Sequence, residues 1–188
     1  GCNVELFLTV QLEQLRGEAL GAFQRLPDAL KAAVKPELAA DDLDYKTIII
    51  DGLLGTGVKG IPKEPIATWI KLVSASGCPV LAIDLPSGLN ADDGLGALAI
   101  IADKTVTFAA VKTGMLLQQG PECCGRLEIA DIGIPEHLLQ GMTNGLEVFS
   151  QKEARQALHR ETFTAYKNLR GHIGVIGGSA VYGHAPFL

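Results

Sequence analysis

The stretch "IIIDGLLGTGVKGI", residues 48–61, carries a continuous apolar run that ends on Asp51 and passes into a glycine-rich turn, with G-x-G-x-x-G at Gly55, Gly57 and Gly60. Consecutive isoleucines suit a strand of a parallel sheet covered on both faces. Glycines at this spacing permit positive φ and let backbone N–H groups come close to a phosphate, which is what a dinucleotide-binding loop requires. The details depart from that fingerprint. "DGLL" separates the strand from the glycines, and Pro62 and Pro65 hold back the helix that should follow at once. Three readings stand: an oxidoreductase loop, a purely structural turn, and a loop for a different ligand.

Outward from this stretch the chain alternates. Thr47–Asp51 is the predicted strand, and "EPIATWIKLVSAS" places Ile66, Trp69, Ile70 and Val73 on one face of a helix that Gly77 ends. "PVLAID" (Pro79–Asp84), "TVTFAA" (Thr105–Ala110) and "RLEIADI" (Arg126–Ile132) are further strands. Upstream, Val4–Val10 reads as a strand and residues 11–26 as a helix with Leu12, Leu15, Ala19, Leu20 and Phe23 at helical spacing. Between Pro27 and Tyr45, "DALKAAV" fits either a short helix or a weak strand. Strands alternating with helices and glycine turns predict an α/β fold with a mainly parallel sheet, whose site lies at the carboxyl ends of the strands. Beyond about Leu138 the pattern loosens, apart from a helix candidate at "SQKEARQAL", and a strand and glycine turn follow in "HIGVIGGSAVYGHA".

Composition narrows the chemistry. The chain has 188 residues, 47% of them hydrophobic, enough for a full domain with a core. It has no apolar run of membrane-spanning length, so no membrane partner is expected. A net charge of −5 without a basic stripe argues against nucleic acid. Cys2, Cys78, Cys123 and Cys124 form no C-x-x-C pair, and inert thiols in a reducing, cytoplasmic compartment are the expectation. His137, His159, His172 and His184 are scattered without metal-ligand spacing.

Three features meet at predicted strand ends: Asp51, the loop from Gly55 to Gly60, and Asp84 in "IDLPSG". Asp84 falls 24 residues beyond Gly60, near the place where a dinucleotide fingerprint puts its ribose acid. Either aspartate alone could be a turn or helix cap. "DLPSGLNADDG" is also a long polar connection on the edge that carries function in such sheets. Ser87 has no G-x-S-x-G elbow around it, which argues against a nucleophile; as a turn hydroxyl or as an oxygen ligand of a hard cation it fits equally. Lys59 and Lys112 could face phosphates or simply be solvated.

Taken in order, "DGLLGTGVKG", "AIDLPSGLNADDG", "TVTFAAVKTG" and "ADIGIP" resemble the YjeF N-terminal domain family, the NAD(P)HX epimerases. The tail, "YKNLRGHIGVIGGSAVYGHAPFL", resembles the opening of the ADP-dependent NAD(P)HX dehydratase domain. The resemblance implies a Rossmann-like three-layer sandwich that interconverts the R and S epimers of hydrated NADH or NADPH. It implies substrate contacts from Gly55, Thr56, Gly57, Val58, Lys59, Gly60, Ile61 and Asp84, with Asp51 and Ser87 as ligands of K+; since exchange at C6 needs a positioned carboxyl to move a proton, Asp84 is the expected catalytic residue. It further implies an epimerase domain over 1–137 that lacks its first strand and N-N-G-G-D loop, a linker over 138–165, and the start of a dehydratase domain over 166–188. ADP or ATP would serve only that second domain, and the intact protein would be a homo-oligomer. A fragment without its first loop is expected to be inactive. The rival readings are a non-catalytic nucleotide-binding or dimerisation module of the same fold, and an NAD-dependent dehydrogenase, for which no catalytic histidine or tyrosine pattern is present.

Overall fold

The computed structural model describes residues 3–57, 59–140, 148–157 and 174. The chain divides into two compact units, residues 1–144 and 145–188. The first opens with β1 (Leu6–Phe7), α1 (Gly17–Gln24), α2 (Asp28–Ala32) and β2 (Val34–Lys35), and β1 pairs in parallel with β2. Here the expected strand over 4–10 shrinks to two residues, because Pro36 follows β2 directly and has no N–H to extend the ladder. The expected helix over 11–26 is also broken. Leu15 and Arg16 are extended, and Gly17, where α1 starts, has φ +54°, which the interior of a right-handed helix does not admit. This break lets Leu15 turn inward and become buried while Leu12 stays exposed. The ambiguous "DALKAAV" holds both alternatives, α2 and then β2.

The main sheet is four-stranded and parallel throughout: β3 (Ile49–Asp51), β4 (Val80–Ile83), β5 (Lys104–Phe108) and β6 (Arg126–Ala130), in chain order. Between β3 and β4 runs α3 (Ile66–Ser76), ended by Gly77 in a left-handed conformation. Each strand predicted from its apolar run is present, with ends trimmed by up to two residues. The trimming has a cause: Asp84 and Ala109 adopt positive φ, at 67° and 62°, and turn the chain out of the sheet.

Partners in a parallel register point the same way, and Ile49 pairs with Val80, Asp51 with Ala82, and Ala82 with Thr105. On that face Asp51, Val80, Ala82, Thr105 and Thr107 are all buried. Ile70 and Val73 of α3 pack there with Val80, Ala82, Ile100 and Ala102. Ile70 is wholly buried, a contribution of roughly 2 to 3 kcal/mol. A second cluster joins Leu85, Leu89 and Ala91, which follow β4, to Met115 and to Cys123 and Cys124 of α4 (Gly120–Cys124). The opposite face of the sheet is only partly covered. Leu81, Ile83, Val106 and Phe108 are half-buried, and Ile50 on the edge strand β3 is 67% exposed.

A short helix, α5 (Glu136–Gln140), follows β6. In the second unit α6 (Gln151–Ala157) forms inside the predicted "SQKEARQAL" segment, started by a reciprocal cap in which Ser150 Oγ accepts from Glu153 N and the Glu153 carboxylate accepts from Ser150 N. Among the described residues no helix is long and apolar enough to cross a membrane.

Candidate functional site

β3 and β4 are adjacent and parallel, so Asp51, the last residue of β3, and Asp84, the first residue after β4, leave the sheet at the same carboxyl edge. They nevertheless do different things. Asp51 is 2% exposed, and its carboxylate holds two loops together. Oδ2 accepts from Ser87 N at 2.7 Å, while Oδ1 accepts from Ser87 Oγ at 2.6 Å and from Leu53 N at 3.2 Å. Ser87 Oγ in turn accepts from Leu54 N at 2.9 Å. The root of the glycine loop is thereby tied to the "DLPSG" turn. Burial pushes the Asp51 carboxyl above the ordinary carboxylate range, and the two Ser87 bonds and the Leu53 N–H only partly offset it.

Asp84 is more open, with a quarter of its side chain accessible. Its left-handed backbone lets the N–H donate to Val106 O at 2.8 Å while the side chain folds back over the end of β5. Oδ1 accepts from Phe108 N at 3.0 Å, from Thr107 Oγ1 at 3.2 Å and from Lys112 Nζ. Burial pushes this carboxyl up, but the Lys112 hydrogen bond and charge, with the Phe108 N–H and the Thr107 hydroxyl, outweigh burial and hold it below the usual range.

Lys112 is placed differently from either expectation for it. Its ammonium group donates to Asp84 Oδ1, to Thr107 Oγ1 at 2.7 Å and to Phe108 O at 3.1 Å. An ammonium has three protons and all three are engaged, so none is left for a phosphate. Thr107 is wholly buried beside it. Sequence reasoning missed this cluster. The available signal was the period-two alternation of "TVTF", which puts Thr107 on the inward face, combined with the neighbouring position of the strand that ends at Asp84.

The glycine loop keeps the character its spelling suggests. Gly55, Thr56, Gly57, Lys59, Gly60 and Ile61 are exposed, and Gly60 has φ +78°. Val58 lies outside the described residues. The helix begins only at Ile66, so the glycines do not open a helix as a dinucleotide fingerprint would. Across the edge, residues 85–96 are fastened to residues 113–120. Gly114 N donates to Ala91 O at 2.6 Å, Gly96 N to Gln119 Oε1 at 2.9 Å, and Gln119 N to Gly94 O at 3.1 Å.

Other candidates separate from this edge. The Cys78, Cys123 and Cys124 thiols are free and buried, and burial pushes Cys123 up and Cys124 up to about 11, so neither of that pair is a nucleophile. His137 is exposed on α5. Among the described residues no three His, Cys, Asp or Glu side chains gather in a metal-binding group. Residues 166–188, where a dehydratase opening was expected, lie outside the described residues except for Gly174.

Several known proteins similar to this chain are of one kind. The bifunctional NAD(P)H-hydrate repair enzyme Nnr of Moorella thermoacetica is 33% identical over 186 residues, covering 95% of this chain and 35% of that protein. Its namesakes from Coxiella burnetii and Archaeoglobus fulgidus are each 34% identical, over 98% and 100% of this chain and 38% and 37% of their own lengths. The chain thus spans little more than a third of the curated relatives it matches. The crystal structure of yeast ynu0 shares the fold, with a TM-score of 0.55 at 15% identity over 73% of this chain and 60% of that one. The family model described as YjeF-related protein N-terminus matches residues 1–114, from β1 through the Lys112 cluster, and by that match the chain belongs to this family.

Proposed function

We propose that this chain is the epimerase part of a NAD(P)H-hydrate repair enzyme, interconverting the R and S hydrates of NADH or NADPH. The observation that carries the reading is a carboxylate, Asp84, whose Oδ2 accepts no hydrogen bond among the described residues, on the same edge of a parallel sheet as an exposed glycine loop. Relatives named as bifunctional NAD(P)H-hydrate repair enzymes support it, since they match nearly the whole chain.

In the proposed mechanism Asp84, mostly ionised beside Lys112, acts in the minor form that carries a proton: the lone pair of the ring nitrogen expels the C6 hydroxyl, which leaves as water with that proton. The ring becomes an iminium cation and Asp84 a carboxylate. Water then adds to C6 from the other face, returns a proton to Asp84, and restores the neutral ring. Atoms and electrons balance, and only configuration changes. The loop residues Gly55–Ile61 would hold the anionic part of the substrate through backbone N–H groups.

Asp51 and Ser87 would hold K+. Their donors are all oxygen, which suits a hard cation, and among the described residues Asp51 Oδ2 accepts one hydrogen bond and keeps acceptor capacity. Such an ion would add positive charge near the substrate phosphates. A dehydratase function, with its ADP or ATP, a homo-oligomeric assembly and a cytoplasmic setting belong to the same proposal for the whole protein.

The test follows epimer exchange by chromatography after mixing the R and S hydrates of NADH with the intact repair enzyme that contains this chain. Asp84→Asn is expected to slow exchange about a hundredfold or more. Unchanged exchange would remove Asp84 from the mechanism.

A further inference from the structure

We propose that Lys112 is a positioning residue for this reaction, which pins Oδ1 of Asp84 and leaves Oδ2 as the oxygen that gives and takes the proton. The inference rests on the epimerase reading for its chemistry, although the contact itself does not.

The geometry is one-sided. Three donors from the end of β5 and the segment after it converge on Oδ1: Phe108 N, Thr107 Oγ1 and Lys112 Nζ. Lys112 is itself held by Thr107 Oγ1 and Phe108 O, so its position is set by β5 and not by Asp84 alone. Among the described residues the carboxyl edge also carries Lys59 in the glycine loop and Asp131 after β6, both exposed. Lys112 touches Asp84, whereas Asp51 at the end of β3 is committed to Ser87 and Leu53. Lys104 pairs with Glu128 at the start of β5, near the other end of the sheet.

This arrangement has a chemical use. Expulsion of the hydroxyl turns a carboxyl into a carboxylate as the ring gains positive charge. A fixed ammonium on Oδ1 favours that product, because an adjacent opposite charge stabilises the ionised form. It also fixes the carboxyl plane, so Oδ2 can meet the C6 oxygen without a search over side-chain rotations. Lys112 acts through Asp84 and need not touch the substrate.

Two measurements on the intact repair enzyme that contains this chain test this, with NADHX as the probe. The first is a carbon-13 NMR titration of the Asp84 carboxyl, assigned with Asp84→Asn, in wild type and in Lys112→Met. The midpoint is expected to rise by about one pH unit in Lys112→Met. The second is the pH profile of epimer exchange. Lys112→Met should lower kcat about a hundredfold with KM kept within about twofold, and move the profile upward with the NMR midpoint, while Lys112→Arg keeps the wild-type midpoint. An unmoved midpoint overturns the proposal, and so does a KM that rises with kcat unchanged, since that would make Lys112 a substrate ligand. The titration needs no turnover. If Asp84→Asn exchanges epimers as fast as wild type, the epimerase assignment of Asp84 fails while the titration still decides whether Lys112 governs its proton.

Discussion

A buried carboxylate and a half-open one, on neighbouring strands, show how local partners divide roles between chemically identical side chains. Asp51 is raised by burial, so its folded-state pKa lies above its unfolded value. The group therefore favours the native state below the unfolded pKa, and that advantage is lost as pH rises through the folded one. The Ser87 bonds limit this loss by favouring the ionised form. Ser87→Ala removes a donor to Asp51 and the acceptor for Leu54 N. We expect a loss of about 1 to 3 kcal/mol in urea unfolding, larger near pH 7 than near pH 4, where Asp51 bears its proton more often. An equal loss at both would mean that Asp51 does not sense Ser87. Asp84 has the opposite sign, because its donors, Lys112 first among them, lower the pKa. Its stabilising share is present above the unfolded value and fades as pH falls through the folded one.

At the scale of elements, α3 is where sequence and structure agree best. Ile70 and Val73 meet Val80 and Ala82 because a continuous 3.6-residue period fixes which side chains face the sheet. Ile70→Ala should cost about 2 to 5 kcal/mol by thermal or urea unfolding, and a loss below 1 kcal/mol would show that the helix–sheet contact is not part of the core. The four strands of the sheet were equally legible, β3 and β4 as short apolar runs ending on Asp51 and before Asp84, β5 and β6 as alternating segments opened by Asp103 and Gly125. The N-terminal helix was not. Its spacing continued through residues 12–23, yet Leu15 gains more by turning inward than by staying in register, and Gly17 allows the break. Asp51 and Asp84 were legible as strand-end acids, but not their partners. Ser87 and Lys112 lie 36 and 28 residues away along the chain, and only the folded register brings them together.

For the whole molecule, the sheet presents two unlike faces. One buries Val80, Ala82, Thr105 and Thr107, whereas the other leaves Leu81, Ile83, Val106 and Phe108 half-covered and Ile50 exposed on the edge strand β3. An apolar edge of this kind favours pairing with another strand. Ile50→Lys is expected to reduce concentration-dependent self-association in sedimentation, with unfolding free energy changed by less than about 1 kcal/mol. Association unaffected by the charge would show that β3 is not the adhesive edge.

The close seam between residues 85–96 and 113–120 carries a dynamic corollary. Gly114 sits so near Asn90 that an added Cβ would stand 2.1 Å from its carbonyl oxygen, so the segments that directly follow Asp84 and Lys112 are stitched backbone to backbone. Such stitching makes the acid and its ammonium neighbour rigid before any ligand arrives, and binding there forfeits little disorder. The Gly94 and Gly114 amides should therefore exchange with deuterium slowly and at the same rate with or without NADHX, while the amides of the exposed loop at Gly55–Gly57 slow only when it is added. The pocket would then consist of one wall already set and one wall that the incoming molecule must order.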